Sequence, residues 1–109
     1  MNHTSLPGLL DEHLGLARTA SSGRSAHTVY GGHAHSLRQT LIALTAGQRM
    51  DEHESPGEAT LQVLRGRVRV VAGDTTWVGS PGDVLIVPPS RHALEADEDS
   101  GVLLTVATR

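Results

Sequence analysis

The feature that most constrains the fold is a repeated pattern of short apolar segments, each ended by a turn rich in glycine, proline or aspartate. It runs from Arg24 to Thr108, and its clearest segments are residues 25–30, 37–47, 59–73, 84–89, 91–96 and 101–108. Strands of this length, at a spacing of roughly 8 to 12 residues, are typical of an all-β sandwich or barrel and not of alternating β-α-β units. The sequence therefore predicts one all-β barrel with roughly six to ten strands.

A different period precedes the barrel. Apolar residues recur there at spacings of three and four, which is the period of one helix face. They are Leu6, Leu9, Leu10, Leu14 and Ala17, and His13 lies on the same stripe. Ser5 suits an N-cap and Pro7 suits the first turn. We therefore predict a single domain, with a short N-terminal α-helix and linker in residues 1–23 and the β-barrel in residues 24–109.

The composition argues against several functional classes. The 109 residues include no cysteine, which excludes a disulfide framework and a thiol nucleophile. The formal net charge is −3 and there is no basic stripe, so we expect no nucleic-acid partner. No apolar run approaches the length of a membrane span, so we expect no membrane contact and a soluble, cytoplasmic protein. A homodimer is expected, because small barrels have strand edges to protect.

Two stretches resemble the two sequence motifs of the cupin family. Residues 47–66, GQRMDEHESPGEATLQVLRG, resemble the first motif, in which a glycine, a His-x-His unit, an acid and a closing glycine follow one another. Residues 82–92, GDVLIVPPSRH, resemble the second motif, in which an apolar strand and a proline lead to a histidine. The resemblance covers roughly residues 40–107 and implies a double-stranded β-helix, or jelly roll, with a cavity at one end of the barrel.

The resemblance also implies a set of site residues. Metal-bearing cupins take two histidines and a glutamate from the first motif and one histidine from the second. In this chain His53 and His92 match two of those positions, whereas Ser55 and Ala59 occupy the other two. Leu61 has the same strand parity as Ala59. These five residues are the predicted ligand pocket.

The same residues limit what metal the site can hold. Two imidazoles alone bind a divalent ion weakly, because protein metal sites normally use three or more ligands. We therefore expect no tightly bound cofactor, and at most a weakly held Zn, Ni, Mn or Fe ion on His53 and His92. Glu58 is a candidate third ligand. Its strand parity is opposite to that of Ala59, so it reaches the cavity only if Pro56–Gly57 forms a bulge.

Other candidate residues lie outside the motifs. His33 and His35 have the spacing of a metal chelate if the chain is extended there, and the alternative is an exposed turn after residues 31–32. Either Gln39 or Thr40 is expected to face the cavity, because they are neighbours on one strand. The remaining histidines are expected at the surface or beside the helix, and they are His3, His13 and His27.

Three functions remain open from the sequence. The first is a cupin that binds a small organic molecule in an apolar cavity between His53 and His92, as a sensor, carrier or accessory protein. The second is a metal-dependent oxygenase or isomerase with a divalent ion on His53, His92 and Glu58. The third is a structural or interaction protein whose barrel holds no ligand. The fold does not decide among them, because one fold hosts many functions. The replacement of two ligand positions favours the first.

Overall fold

The structure is a computed structural model that describes residues 3–53 and 57–107, and only the backbone of residues 52 and 53. These ranges form one helix and nine strands. In chain order they are α1 Leu6–Thr19, β1 Arg24–Tyr30, β2 Leu37–Leu44, β3 Arg49–His53, β4 Glu58–Arg65, β5 Val68–Ala72, β6 Thr75–Gly79, β7 Val84–Ile86, β8 His92–Ala96 and β9 Ser100–Ala107. The predicted all-β fold with a short N-terminal helix is confirmed. Within the described ranges, no helix has the length and apolar character needed to cross a membrane.

The strands form two antiparallel sheets that enclose one interior. The five-stranded sheet has the order β1-β2-β9-β4-β7, and the four-stranded sheet has the order β3-β8-β5-β6. Several neighbours within a sheet are distant in sequence, as for β9, which lies between β2 and β4. This interleaving is that of a jelly roll, so the double-stranded β-helix is confirmed.

Small and branched aliphatic side chains fill the interior between the sheets. The buried residues of this core are Ile42, Leu44, Ala59, Leu61, Val63, Val68, Val70, Val87, Leu94, Ala96, Val102 and Val106. They come from both sheets and alternate along their strands with more exposed positions, as in β4 and β5. The interior is therefore filled by the side chains on one face of each strand, as the period-two alternation of the sequence indicates.

β2 departs from that alternation at its end, where it is buried on both faces. Ile42 and Leu44 pack into the interior, whereas Leu41 and Ala43 pack against α1 on the outside of the sheet. A strand covered on both faces reads as a continuous apolar run rather than an alternating one. The run LIAL at the end of β2 is therefore explained by the helix that covers it.

Helix α1 packs on the outer face of the five-stranded sheet. It begins at the cap Ser5, whose Oγ accepts a hydrogen bond from the Gly8 amide at 3.3 Å. Its apolar stripe is buried against β1 and β2 through Leu10 and Leu14. Gly101 on β9 permits this contact, because a Cβ there would overlap the Leu10 side chain. The helix therefore covers its own barrel.

One histidine takes part in this helix contact. The structure places His13 not at the surface but buried between α1 and β1. Its Nδ1 lies 2.6 Å from Ser25 Oγ, and its ring centroid lies 5.3 Å from that of His27. The hydroxyl gives one nitrogen of this buried polar ring a hydrogen-bond partner, as buried polar groups require.

The outer face of the four-stranded sheet carries ion pairs instead of a helix. On β8, the Glu95 carboxylate lies 2.6 Å from Arg49 Nη1 and 3.2 Å from Arg69 Nη2. The Nε of Arg69 lies 3.1 Å from Asp97 Oδ1, which makes an ion pair by distance. These four side chains are the charged ladder, and they keep this face of the barrel in contact with solvent.

Candidate functional site

The barrel interior contains a small apolar cavity between the two sheets. Its volume is about 40 Å³, which is several times the space that one water molecule requires. Seven of its lining side chains are apolar and one is a histidine; they are Ile42, Met50, Leu61, Val70, Val87, Leu94, Leu104 and His92. A ligand in this cavity would therefore meet an apolar wall and a single ionisable ring.

His92 is held in a defined orientation at the start of β8. The residue is 6% exposed, and its Nδ1 lies 2.9 Å from the Ser90 carbonyl oxygen. A carbonyl oxygen only accepts hydrogen bonds, so Nδ1 is the nitrogen that carries the proton. In the neutral ring, Nε2 is then the acceptor nitrogen. Histidines that bind metals or accept protons are commonly oriented in this way by a backbone carbonyl.

The other predicted motif histidine is paired with His92 through the backbone. The β3–β8 register aligns His53 with His92, after an irregularity between Met50 and His53. The structure thus brings the two motif histidines to opposite positions on neighbouring strands. The side chain of His53 and the whole of Ser55 lie outside the described residues.

β4 separates the remaining first-motif positions onto two faces. Ala59 and Leu61 are buried in the interior core, and Leu61 lines the cavity. Glu58 is exposed at the start of the strand, opposite Ala107 of β9. The structure therefore places the candidate third ligand on the outward face, away from the cavity.

The register of β2 shows which of its two polar residues, Gln39 or Thr40, faces the interior. Thr40 is opposite Leu104, which lines the cavity, so it shares the inward face. Gln39 is directed to the other face, where its Nε2 donates a hydrogen bond to Thr105 Oγ1 at 3.2 Å. Thr40 is therefore the residue of the two that faces the interior.

The described residues do not complete a metal site of the kind that metal-bearing cupins use. Within residues 3–53 and 57–107, no three His, Asp or Glu side chains come together in a group that could hold a metal ion. His92 is the one motif histidine whose ring is described, the Ala59 side chain has no ligand atom, and the Glu58 carboxylate faces outward. A divalent ion normally requires three or more protein ligands.

The histidines of the β1–β2 connection form a different feature. The His35 amide donates to the Gly32 carbonyl oxygen at 3.1 Å, so residues 32–35 make a tight turn and not an extended chelate. His33 and His35 are exposed and line a surface groove together with Arg38. No motif marks Arg38 in the sequence. Its one signal is a charge at an inward-facing position of β2.

Comparisons with known proteins agree with this architecture. The chain matches the family described as "Cupin domain" over residues 40–108. No curated protein matches the chain. A conserved protein of unknown function from Streptococcus pyogenes has a similar structure, with a TM-score of 0.79 at 24% identity, over 100% of this chain and 91% of that one.

Two further solved structures are similar in fold. An RmlC-like cupin from Desulfovibrio desulfuricans has a TM-score of 0.71 at 24% identity, over 98% of this chain and 95% of that one. A salicylate 1,2-dioxygenase from Pseudaminobacter salicylatoxidans has a TM-score of 0.75 at 21% identity, over 92% of this chain but 33% of that one. At these identities the structures show the fold alone. With the family match over most of its length, the chain belongs to the cupin family.

Proposed function

We propose that the barrel cavity binds a small organic molecule, with His92 as its polar contact, and that any divalent metal is held weakly. The observation that carries this proposal is the lining: seven apolar side chains surround one buried, oriented imidazole. Ligand sites are typically apolar with a few placed polar groups that set orientation. An apolar wall contributes affinity through the hydrophobic effect, and the imidazole selects for a ligand with a matching polar group.

The size of the cavity limits the ligand. At about 40 Å³ it is far below the roughly 300 Å³ at which pockets for drug-sized molecules begin. The ligand is therefore a molecule of few heavy atoms, or one whose entry moves a side chain of the wall. Met50 is the lining residue best suited to such a movement, because an unbranched thioether adapts to irregular space.

The proposal is tested with phenol and toluene, which differ in one hydroxyl. Methyl NMR titration should show saturable shifts of Leu61 and Val70, with phenol bound about two- to tenfold more tightly because its hydroxyl meets His92. His92→Leu should remove the preference for phenol. Val70→Leu fills the cavity and should abolish binding of both molecules. Val71→Leu is the matched control on the outer face of the same strand, and it should bind as the natural protein does.

The metal part of the proposal has its own test. Calorimetric titration with Zn²⁺, Ni²⁺ and Mn²⁺ should give weak binding to the natural protein. Ser55→His with Ala59→Glu restores the four ligand types of metal-bearing cupins, and it should convert weak binding to tight, stoichiometric binding. Tight binding by the natural protein that His92→Ala abolishes would contradict the proposal. Tight binding that is lost in His33→Ala or His35→Ala would assign the ion to the β1–β2 connection.

A second candidate function is metal-dependent oxygenase or isomerase chemistry. It is favoured by the orientation of His92, whose Nδ1 donates to a backbone carbonyl as metal-bound histidines commonly do, and by its register with His53. A dioxygenase is among the proteins of similar fold. This candidate requires a third ligand besides the two histidines, and the metal titration above distinguishes it from the first.

A homodimer in the cytoplasm also remains a proposal. β6 and β7 are edge strands of the two sheets, and they lie beside each other. They carry four exposed large hydrophobic side chains, Trp77, Val78, Val84 and Ile86. Pairing with a second copy would cover this surface and protect an edge. Light scattering should report twice the 11.5 kDa mass of one chain. The variant Ile86→Arg should have the mass of a single chain.

A further inference from the structure

A surface groove lies at the end of the β1–β2 hairpin, apart from the cavity described above. Its volume is about 460 Å³. Its lining residues are Thr28, Gly31, Gly32, His33, His35 and Arg38. This set includes one permanent cation, two imidazoles, a hydroxyl and two glycines, and it includes no carboxylate. The groove is therefore lined by hydrogen-bond donors without a negative charge among them.

Arg38 stands at the inner edge of this groove. It lies opposite Val106 in the β2–β9 register, and Val106 lies opposite Ala59 in the β9–β4 register. Both partners are buried in the interior core. Direct cross-strand neighbours share a face, so Arg38 occupies an inward-facing position at the rim of the barrel.

Arg38 also differs from the other arginines in its partners. Five of the described arginines form ion pairs with carboxylates, namely Arg18, Arg49, Arg65, Arg67 and Arg69. Arg24 donates to the Arg49 carbonyl oxygen. The Arg38 side chain forms no hydrogen bond or ion pair with any residue in the described ranges 3–53 and 57–107. As far as the described residues go, its guanidinium donors are therefore available to a ligand.

The backbone of the hairpin connection holds the two histidines beside Arg38. Gly31 has a φ of +112°, and a Cβ there would lie 2.6 Å from the Leu37 carbonyl oxygen. Glycine alone allows this close approach. The tight turn at residues 32–35 is closed by the His35 amide, and the His35 ring contacts Tyr30 edge-on with centroids 5.2 Å apart. The groove is thus shaped by the fold and not by loose side chains alone.

We propose that this groove binds the carboxylate or phosphate group of a small molecule. The planar guanidinium of Arg38 matches either oxyanion with two parallel hydrogen bonds, and charge-assisted bonds of this kind are the stronger ones. The imidazoles of His33 and His35 supply further donors, and the Thr28 hydroxyl supplies another. The site uses none of the residues that line the barrel cavity, so the outcome of its test does not depend on the proposed function.

The test is an NMR titration at constant ionic strength with two separate probes, acetate and inorganic phosphate. Saturable shifts of the Gly31 and Gly32 amides and of Arg38 Nε–H are expected for at least one probe. Saturation by acetate alone assigns the groove to carboxylates, and saturation by phosphate alone assigns it to phosphates. The absence of saturable shifts with either probe would overturn the proposal.

Two variants distinguish a specific binding site from a general attraction of anions to positive charge. Arg38→Gln should weaken binding about tenfold or more, because it removes the charge-assisted pair of bonds. The matched control is Arg65→Gln, which changes the net charge by the same amount at an exposed arginine that pairs with Asp11. It should alter the affinity less than about twofold, because a distant exposed charge is screened by salt. Equal weakening by the two substitutions would overturn the proposal, as would unchanged binding by Arg38→Gln.

The histidines are tested by His33→Gln with His35→Gln, which keeps polar side chains of similar length. A further loss of about threefold is expected, in keeping with the loss of weaker hydrogen bonds. The thermal midpoint of each variant should match that of the natural protein, because the substituted side chains are exposed. Binding by this double variant that equals natural binding would remove the histidines from the site and overturn their part in it.

Discussion

The two outer faces of the barrel differ in what lies on them: a helix packs on one, and ion pairs lie on the other. On the five-stranded sheet, α1 covers Leu41 and Ala43, so that part of the sheet is buried on both faces. On the four-stranded sheet, the charged ladder around Glu95 stands in solvent, and the strands alternate between polar and apolar residues. Apolar burial contributes much more free energy than exposed ion pairs do. The helix side therefore contributes more to stability, and the ladder side chiefly keeps the outer face of the four-stranded sheet polar.

The largest expected effect comes from removing the helix contact. Leu14 is 1% exposed in the contact between α1 and the sheet, and Leu16 on the same helix is 51% exposed. Leu14→Ala should lower the free energy of unfolding by about 2 to 5 kcal/mol, because it leaves a cavity in a packed contact. Leu16→Ala should change it by no more than about 0.5 kcal/mol. Urea denaturation measures both, and similar losses in the two variants would mean that α1 is not docked on the barrel.

A substitution under the helix should have the next largest effect. Gly101→Ala places a Cβ against the Leu10 side chain, and overpacking of this kind costs about 1 to 3 kcal/mol. Leu10→Ala in the same chain frees the space, so the double variant should be more stable than the sum of the two losses predicts. Strict additivity in denaturation experiments would show that the two residues do not touch.

The charged ladder should respond more weakly. Glu95→Gln removes the carboxylate shared by Arg49 and Arg69, and the loss of unfolding free energy should be about 1 kcal/mol or less. The loss should shrink as salt concentration rises, because salt screens these charges. Asp51→Asn is the control: Asp51 Oδ1 lies 3.7 Å from Arg49 Nε, but its side chain is 97% exposed, so this substitution should have a smaller effect than Glu95→Gln. A loss for Glu95→Gln as large as that for Leu14→Ala would reverse the comparison between the two faces.

The smallest effect is a pH dependence at the end of the helix. The Ala46 amide donates to Asp99 at 2.9 Å and Arg18 contacts it, and these partners hold the pKa of Asp99 below its usual 3.8. A lowered pKa in the folded state stabilises the protein above about pH 3.8, and this contribution is lost as the pH falls through the folded value. The stability difference between the natural protein and Asp99→Asn should therefore shrink in acid. A stability difference that stays constant as the pH falls would contradict this prediction.

Much of the fold could be predicted because it depends on local patterns. Alternation in β4 predicts that Leu61 and Val63 face inward, and both are buried. Gly66 ends that strand at a φ of +82°, in a turn where a Cβ would overlap Ser100. The apolar run at the end of β2 could not be assigned to two faces from its letters alone, because its second cover comes from α1.

The site could be predicted only in part, for a similar reason. Strand parity and the motif resemblance select Ala59, Leu61 and His92, all of which lie in the interior. The proton position on His92 depends on the Ser90 carbonyl, and hence on a loop geometry that no pattern encodes. Arg38 reaches the rim through its register with Val106, a partner far along the chain. Neither contact has a local signal in the sequence.

The position of β9 has a consequence for how this protein is made. β9 follows every other strand of the barrel along the chain, yet it lies in the middle of the five-stranded sheet, between β2 and β4. While a ribosome is still adding residues, β2 and β4 therefore lack the neighbour that joins them. The two strands stay unjoined until Ser100–Ala107 has emerged, and synthesis proceeds at roughly 5 to 20 residues per second. The five-stranded sheet therefore cannot close before β9 has emerged, and until then the nascent chain exposes strand edges that favour aggregation and chaperone binding.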